Sequence, residues 1–317
     1  MILILSINNE LSTDHVINWL HFFNKPFDRI NENDRLTAEI EINNSGKQIC
    51  VINEKYYHFE KYNSYWYRRG DFYLNYKYIN GNSEIIKNIN QNYQDNNLDI
   101  QTYIHHYLQV NVKSINNFQN NNINKLHELD IAQKLGLNIP ATLITSSKLS
   151  VLKFIDTHKK IIVKAIKNSL WFTINDVSFS QPTLILEKRV VENFPDYFMP
   201  IKIQNYIDKA FELRVFFLDG FFYASAIFSQ NDEQTKIDFR NYNLANPNRV
   251  VPYNLPKQIK IQLKKFMKEL QLVSGSFDLI VTKTGEYVFL EVNPIGQFSQ
   301  VSIPCNYYLE KQIALYL

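Results

Sequence analysis

The sequence predicts a mixed α/β fold, of the α+β kind, and three observations predict it. At the amino end an apolar strand (residues 1–7), a helix capped at Ser12 or Thr13, and a second strand (residues 27–30) follow one another. In the middle of the chain, apolar strands alternate with helices. Toward the carboxyl end, strands are joined by Asp-Gly and Thr-Gly turns, which are typical of antiparallel hairpins.

Composition narrows the class of protein. The 317 residues are long enough for two or three packed domains, and 45% hydrophobic content is far from a disordered composition. A net charge of +3 without a basic block argues against nucleic acid as the main partner. Cys50 and Cys305 lack metal-ligand spacing and cannot form a disulfide framework, which fits a reducing cytoplasm. No segment approaches the ~20 apolar residues of a membrane span. The eight glycines form no GxGxxG or Walker loop.

Further elements follow from periodicity and chain breaks. Residues 86–122 are rich in Asn and Gln and predict a helix with an exposed loop, with the His105-His106 pair on the helix surface. The remaining predicted elements are strands at 48–60, 64–75, 141–145, 160–164, 183–190, 201–207 and 212–218, and helices from Lys125 to Gly136, at 147–158 and from Pro256.

The segment 275–294 reads as two strands around a Thr284-Gly285 turn. A two-residue loop would pair Lys283 with Glu286 and place Asp278 opposite Glu291. Asn293 would point the same way, because side chains alternate along a strand. The opposite face would then be apolar. It would carry Phe277, Leu279, Val281, Val288, Leu290 and Val292.

Two acids facing each other are destabilising unless something neutralises them. Either nearby Lys and Arg side chains form an ordinary ion-pair network, or a divalent cation binds. The all-oxygen set of Asp278, Glu291 and Asn293 suits Mg²⁺ and argues against zinc. A bulge after the turn would instead put the acids on opposite faces.

Three basic residues stand in positions where an anion is expected. Lys164 ends an apolar strand, Arg214 lies inside an apolar run, and Arg240 follows Asp238 by two residues. Buried arginines need an anionic partner, which is either a structural acid or a polyphosphate.

The order of these residues resembles the ATP-grasp ligases over roughly residues 120–300. The resemblance implies that Lys125 and Lys164 hold the phosphates of ATP, and that Asp278, Glu291 and Asn293 bind two Mg²⁺ ions. It also implies that a hinge receives adenine and that Glu212, or failing that Asp208, binds the ribose. The hinge residues are Gln204, Asn205, Tyr206 and Ile207.

A more specific resemblance, over nearly the whole chain, is to the graspetide maturases, the microviridin-type macrocyclases of the grasp-with-spasm branch. The segments that carry it are Met-Ile-Leu-Ile-Leu-Ser at the start, Tyr-Trp-Tyr-Arg-Arg-Gly70, Gly-Leu-Asn-Ile-Pro140, Asp-Phe-Arg-Asn-Tyr242 and Phe-Leu-Glu-Val-Asn-Pro-Ile-Gly-Gln297. Such enzymes phosphorylate Asp or Glu side chains of a ribosomal precursor peptide and close ω-ester links to Ser or Thr, or ω-amide links to Lys. The resemblance therefore implies a precursor peptide with a leader segment as partner.

The resemblance also implies a division of the chain and of the catalytic work. Residues 1–120 would form an N-terminal α/β domain, 121–200 a central domain with the lysines, the lid and the leader-peptide contacts, and 201–317 a C-terminal antiparallel domain with the Mg²⁺ site. Arg240 would stabilise the transferring phosphoryl group, with Arg214 behind it. Asp238 would orient Arg240 or deprotonate the incoming hydroxyl.

The chain departs from the family pattern at the lid, since residues 165–183 contain no glycine. Ala165–Ser169, including Lys167, Asn168 and Ser169, or a longer polar loop would close over the phosphates. Two other functions stay open: an amino-acid ligase of the ribosomal-S6 glutamate ligase type, and a non-catalytic peptide-binding module with a decayed ATP site. A homodimer is also left open.

Overall fold

The computed structural model describes residues 1–167 and 170–317, which form a mixed α/β structure. The strands are β1 (Ile2–Ser6), β2 (Phe27–Asn31), β3 (Thr37–Asn43), β4 (Gly46–Ile52), β5 (Tyr56–His58), β6 (Ser64–Tyr67), β7 (Lys113–Ile115), β8 (Thr142–Ser147), β9 (Ile161–Lys164), β10 (Trp171–Ile174), β11 (Val177–Ser180), β12 (Leu184–Ile185), β13 (Tyr197–Asn205), β14 (Lys209–Leu218), β15 (Phe221–Phe228), β16 (Arg249–Tyr253), β17 (Ser274–Thr282) and β18 (Tyr287–Asn293). The helices are α1 (Leu11–Phe22), α2 (Glu84–Asn111), α3 (Lys125–Lys134), α4 (Lys148–His158), α5 (Lys188–Val191), α6 (Lys257–Glu269), α7 (Ser299–Cys305) and α8 (Leu309–Tyr316). Within these ranges no helix is both long and apolar enough to cross a lipid bilayer.

The N-terminal region is built on a parallel sheet with strand order β2-β1-β6-β7, beside an antiparallel sheet β3-β4-β5. Every residue of β1 is buried, as expected for a parallel strand covered on both faces. The cap of α1 differs from the prediction, because Glu10 and neither Ser12 nor Thr13 precedes the first turn. The Glu10 carboxylate accepts a hydrogen bond from the backbone N–H of Thr13 at 2.6 Å.

His105 is buried in this region, so the predicted surface position on α2 was wrong. Its Nε2 lies 3.0 Å from the Asp71 carboxylate, and its ring stacks on Phe118 with 4.1 Å between the ring centroids. Asp71 and Phe118 both lie outside α2, one before it and one after it in the chain, so helical spacing alone could not place them against this face.

The central sheet has the order β12-β9-β13-β8. Its strand β13 reaches Asn205, past the predicted boundary at 200, and the division into three domains stays a prediction. The predicted strand at 183–190 is strand only at Leu184–Ile185, after which α5 begins. An unpredicted hairpin, β10–β11, turns at Asn175 and Asp176, which have φ of 48° and 61°. Residues 168 and 169, predicted for the lid, lie outside the described residues.

The C-terminal sheet is antiparallel, with the order β16-β15-β14-β17-β18. One face packs against α6 and α3 and forms the largest apolar core, in which Leu263 and Phe266 of α6 meet Phe277 and Phe289 of the sheet. Helix α3 belongs to this core through Leu129 and Ala132, although it precedes the central sheet in the chain. Lys125 at the start of α3 is therefore carried to the end of β18.

The other face of the C-terminal sheet serves two purposes. At one end of β14, Phe216 and Leu218 pack with Ile4 of β1 and Phe298 in a core shared with the N-terminal region. Toward the other end, Glu212 and Arg214 come from the same face, because side chains alternate along a strand. The central sheet lies next to this polar part, and the candidate site lies between the two sheets.

Candidate functional site

The hairpin that carries the two acids has a different loop from the predicted one, yet Asp278 is paired with Glu291 as predicted. The loop contains the three residues Lys283, Thr284 and Gly285, closed by a hydrogen bond from the backbone N–H of Thr282 to the carbonyl of Glu286. The predicted pairing of Lys283 with Glu286 is therefore wrong. Gly285 has φ of +85°, which a residue without a Cβ adopts at no steric cost.

A bulge restores the pairing of the acids. Leu279 pairs with Phe289, and the next pair along the strands is Asp278 with Glu291, so Leu290 is the extra residue. The longer loop shifts the pairing of β17 with β18 by one residue, and the bulge shifts it back. As a consequence Phe289 enters the apolar core, whereas Leu290 lines the polar side and Val288 pairs with Ile280. The predicted positions of Leu290 and Val288 on the core face are wrong.

Both acids have cationic neighbours. Asp278 accepts a hydrogen bond from the guanidinium of Arg214, and the two side chains are only 10% and 9% exposed. Glu291 lies 3.6 Å from the ammonium of Lys125. Burial raises the pKa of Asp278, and the charge of Glu291 adds to this rise against the opposing charge of Arg214. Burial also favours a higher pKa at Glu291, but the charges of Lys125, Lys164 and Arg240 outweigh it and lower that pKa.

Lys125 is fixed between α3 and the end of β18. Its ammonium donates to the carbonyl of Val292 at 2.6 Å, to Oδ1 of Asn293 at 3.2 Å and to the carboxylate of Glu128 at 3.2 Å. Glu128 is buried and also accepts from the backbone N–H of Val292 at 3.0 Å. Burial raises the pKa of Glu128 to about 7, and the charge of Lys125 opposes that rise. This network ties the amide of Asn293 to the side of the sheet where Glu291 lies.

A single cavity between the central and C-terminal sheets collects most of the predicted site residues. Those that line it are Lys164, Gln204, Asn205, Ile207, Glu212, Asp238, Arg240, Asp278 and Glu291. Lys125, Arg214 and Asn293 stand behind this lining and contact its members. Tyr206 and Asp208 do not line the cavity. The apolar part of the wall comes from Pro140, Ile162, Leu213, Ile237, Phe239, Leu279, Ile280 and Leu290.

Arg240 and Asp238 form one unit at the edge of the cavity. The guanidinium donates two hydrogen bonds to the Asp238 carboxylate, at 2.8 and 2.6 Å, in the bidentate manner typical of this pair. Asp238 also accepts from the hydroxyl of Thr183 at 3.1 Å. Burial favours a higher pKa at Asp238, but the hydrogen bonds and charge of Arg240 prevail and lower the pKa to about 2. At neutral pH Asp238 is an anion that orients Arg240.

The part of the wall that comes from the hinge offers hydrogen-bonding groups and apolar surface. Gln204 donates from its amide to the Thr142 hydroxyl at 2.9 Å, which orients its side-chain oxygen. The buried Oδ1 of Asn205 accepts no hydrogen bond from the described residues. Ile207 supplies apolar contact. Tyr206 instead faces Lys160, whose ammonium lies 3.7 Å from the centroid of its ring.

Glu212 is the better placed of the two ribose candidates. It lines the cavity and accepts a hydrogen bond from the buried ammonium of Lys209, while its buried Oε2 has no hydrogen-bond partner among the described residues. A buried carboxylate oxygen without a donor is costly, so a ligand hydroxyl is expected there. Asp208 is 63% exposed and forms a surface ion pair with Lys283 at 2.7 Å.

Three residues of the site were not predicted from the sequence: Glu128, Lys202 and Lys209. Lys209 holds Glu212, and Glu128 holds Lys125. Lys202 is paired in register with Lys164 on the neighbouring strand. Glu128 lies three residues from Lys125 on helix α3, and that helical spacing was an available signal. Lys209 lies three residues from Glu212 on a strand, with a register shift between Lys209 and Phe211, so spacing gave no signal there. Lys202 lies in an apolar strand next to the hinge, where a charged residue is itself unusual.

The oxygen atoms of Asp278, Glu291 and Asn293 suit Mg²⁺ better than a metal ion that is coordinated by protein side chains alone. Across residues 1–167 and 170–317, no group of three or more His, Cys, Asp and Glu side chains could hold a metal ion. Two carboxylates and an amide at the edge of a cavity are what Mg²⁺ uses when water and substrate phosphates complete its shell. The opposed pair Asp278 and Glu291, together with Asn293, fits that pattern.

Comparison with known proteins gives structural relatives only. No family model matches the chain, and no curated protein matches its sequence. A RiPP-associated ATP-grasp ligase from Chryseobacterium gregarium, solved with ADP and a leader and core peptide, is 22% identical with a TM-score of 0.80, covering 99% of this chain and 94% of that chain. The macrocyclase MdnC from Microcystis aeruginosa MRC, bound with precursor peptide MdnA, is 22% identical with a TM-score of 0.78, covering 99% and 98%.

A third structure, the ATP-grasp ligase PsnB complexed with minimal precursor, Mg and ADP, is 16% identical with a TM-score of 0.72, covering 99% of this chain and 94% of that chain. The similarity extends over the whole chain in all three cases, which confirms the fold class predicted from the sequence. It also confirms the resemblance to the ATP-grasp peptide maturases at the level of structure. The chain therefore has the ATP-grasp fold of the peptide-modifying ligases to which it is similar.

Proposed function

We propose that this protein is an ATP-dependent peptide macrocyclase, which phosphorylates Asp or Glu side chains of a ribosomal precursor peptide and closes ω-ester or ω-amide links. The observation that carries the proposal is one cavity that is lined by Lys164, Arg240, Asp278, Glu291 and Glu212. The Oε2 atom of Glu212 has no hydrogen-bond partner in the part of the chain that the structure describes. Such a cavity can hold a nucleotide with its sugar at one end and its phosphates at the other.

Phosphoryl transfer requires a protein to position the reactants and to neutralise their charge, more than to react covalently with them. Different residues of this chain serve these two requirements. Lys125 and Lys164 neutralise phosphate charge. Gln204, Asn205 and Ile207 of the hinge receive adenine, and Glu212 accepts from the ribose. Asp278, Glu291 and Asn293 would hold Mg²⁺, which supplies further neutralisation of the phosphates when it is bound.

In the first step a carboxylate oxygen of the peptide attacks the γ-phosphorus of ATP, the bond to the β-phosphate oxygen breaks, and ADP leaves. In the second step a Thr, Ser or Lys side chain attacks the carbonyl of the acyl phosphate, loses its proton and expels phosphate. Arg240, held by Asp238, stabilises the charge on the transferring group and on the acyl phosphate. Arg214, which does not line the cavity itself, acts indirectly by neutralising the charge of Asp278.

A peptide substrate is supported by the relatives, two of which were solved with precursor or leader peptides and one with a minimal precursor. The fold by itself does not select the acceptor, because D-cycloserine synthetase DcsG also resembles this chain, with a TM-score of 0.54 at 11% identity. An amino-acid ligase would share every nucleotide-binding residue with a macrocyclase. A non-catalytic peptide-binding module would have no use for the charged groups in the cavity.

The change in mass of the peptide distinguishes the three functions. The purified protein is incubated with Mg·ATP, a mixture of free amino acids and each small Thr/Glu-rich peptide encoded beside its gene, and the peptide masses are measured by mass spectrometry. A macrocyclase removes one water per link, whereas an amino-acid ligase adds mass and a binding module changes nothing. A peptide with its Asp and Glu replaced by Asn and Gln is the matched control and should stay unchanged. ADP formation without loss of water from any candidate peptide would contradict the proposal.

A further inference from the structure

We infer that Lys202 is a third phosphate-binding lysine of this site, in addition to Lys125 and Lys164. Lys202 lies on β13 directly opposite Lys164 of β9 in the antiparallel register. Residues opposite each other share a face of the sheet, so the two ammonium groups are on the same side. Gln204, two residues further along β13, shares that face and lines the cavity. The inference rests on the proposed function, because the anion it names is the phosphate chain of ATP.

Within residues 1–167 and 170–317, Lys202 is unusual because it is buried without a counterion. It is 8% exposed, and toward these residues its ammonium donates one long hydrogen bond, to the carbonyl of Ile166 at 3.4 Å. Among the described residues no carboxylate lies within 4.0 Å of it, whereas Lys209, which is similarly buried, is paired with Glu212. A buried ammonium without an anionic partner is costly, so the fold retains this charge at a loss of stability unless an anion binds.

The surroundings of Lys202 favour an added anion over a structural role. Burial and the positive charge of Lys164 lower the pKa of Lys202 to about 8. The charge of Lys125 adds to this lowering of the pKa, and the charges of Glu291 and Glu128 oppose it. The core of the central domain is supplied by the opposite face of β13, where Ile203 is fully buried. Packing therefore does not require a lysine at 202. A polyphosphate between Lys164 and Lys202 would neutralise both.

The position of Lys202 also indicates which part of the nucleotide it meets. Ile166, its hydrogen-bond partner, belongs to the segment after β9 that was predicted to close over the phosphates. The hinge lies in the other direction along β13, at Gln204 and Asn205. Lys202 should accordingly affect binding of the phosphates and leave binding of the nucleoside unchanged. This separation distinguishes a phosphate ligand from a residue that only supports the fold.

The test is calorimetric titration of the wild-type protein and of Lys202→Met, Lys202→Gln and Lys202→Arg with Mg·ATP, inorganic tripolyphosphate and adenosine. Lys153→Met, at an exposed position of α4, is the matched control. Removing one charge-assisted contact should weaken Mg·ATP and tripolyphosphate about 10- to 100-fold in Lys202→Met and Lys202→Gln, and leave adenosine within about twofold. Lys202→Arg should keep most of the affinity. The ligand-free Lys202→Met protein should melt at a higher temperature than the wild type, because a buried unpaired charge is gone.

Two results would overturn the inference: Mg·ATP affinity within about twofold of wild type in both neutral variants, or a loss of adenosine affinity by the same factor as ATP. Wild-type protein that binds neither Mg·ATP nor tripolyphosphate would overturn the inference together with the proposed function. Lysine-dependent binding of tripolyphosphate in a protein that never dehydrates a peptide would support the inference while the macrocyclase proposal fails.

Discussion

Asp278 lies opposite Glu291 because two irregularities of the hairpin cancel. The loop of three residues at 283–285 shifts the register of β17 and β18 by one residue, and the bulge at Leu290 shifts it back. Either irregularity alone would place the acids on opposite faces of the sheet. Their combination brings both carboxylates to the cavity and sends Phe289 into the core. The hairpin thus opposes two like charges, and Arg214 and Lys125 provide the neighbouring positive charges in this structure.

Glu291→Gln should abolish turnover and leave the fold intact. The substitution removes the charge that Mg²⁺ would require while keeping nearly the same shape, so peptide dehydration should fall about a hundredfold or more. The measurement is the initial rate of ADP formation with peptide present, with the melting temperature as a check on folding. Glu286→Gln, an exposed position on the same hairpin, is the control and should keep the wild-type rate. A fully active Glu291→Gln protein would rule out the metal assignment.

Arg214→Met should destabilise the protein, because it leaves the carboxylate of Asp278 buried without its partner. Removing one member of a buried ion pair costs about 3–5 kcal/mol. The double variant Arg214→Met/Asp278→Leu should recover most of that loss and still be inactive, since two apolar side chains can replace a buried pair. Urea denaturation of the wild type, the single variant and the double variant measures both effects. A double variant no more stable than the single one would show that Asp278 is not the group left uncompensated.

Glu212→Gln should reduce the preference of the enzyme for an intact ribose. The Oε2 atom of Glu212, which has no hydrogen-bond partner among the residues that the structure describes, is the acceptor that a ribose hydroxyl would meet. We expect the ratio of KM for 3′-deoxy-ATP to KM for ATP to fall about tenfold in the variant, because a hydrogen bond to a charged group is lost. Asp208→Asn is the control, since Asp208 is at the surface with Lys283, and its ratio should equal that of the wild type. If Asp208→Asn changed the ratio and Glu212→Gln did not, the ribose would lie at the other end of the hinge.

Asp238 should act by orienting Arg240 and should not act as a general base. Its pKa is lowered to about 2, where burial is outweighed by the hydrogen bonds and charge of Arg240. A base needs a pKa near the working pH to accept a proton effectively. Asp238→Asn should therefore lower kcat about tenfold, through a less well held Arg240, without changing the shape of the pH–rate profile between pH 5 and 8. An ascending limb in the wild-type profile that disappears in Asp238→Asn would identify Asp238 as the base.

Several elements of the fold and of the site were predicted correctly from sequence patterns. The apolar run of β1, the periodicity of α6 and the pairing of the two acids were all predicted, although the pairing rests on a loop and a bulge that no pattern indicated. The hairpin β10–β11 was missed because its turn uses Asn175 and Asp176 in left-handed conformations where glycine was sought. Asn and Asp adopt that conformation more readily than other residues with a side chain, so the signal was present.

The features of the fold and of the site that could not be predicted depend on contacts between residues that are distant in the chain. Glu10 caps α1 because Arg68 holds its carboxylate at 3.1 Å, and Arg68 itself lies 58 residues away in the chain. The charge of Lys202 within an apolar strand is visible in the sequence, but its burial and its lack of a carboxylate partner among the described residues are not. A strand pattern records which face a residue occupies, but not which charge lies across the cavity from it.

Isotope transfer tests the central claim, carboxylate activation by ATP in this cavity, most directly. A precursor peptide with ¹⁸O in both oxygens of its Asp and Glu side chains is cyclised with unlabelled Mg·ATP, and the released phosphate is weighed. Activation through an acyl phosphate predicts one ¹⁸O atom in each phosphate and one phosphate for each water lost from the peptide. Phosphate without ¹⁸O, alongside a dehydrated peptide, would contradict this account, because the hydroxyl or amine side of the link would then have been activated.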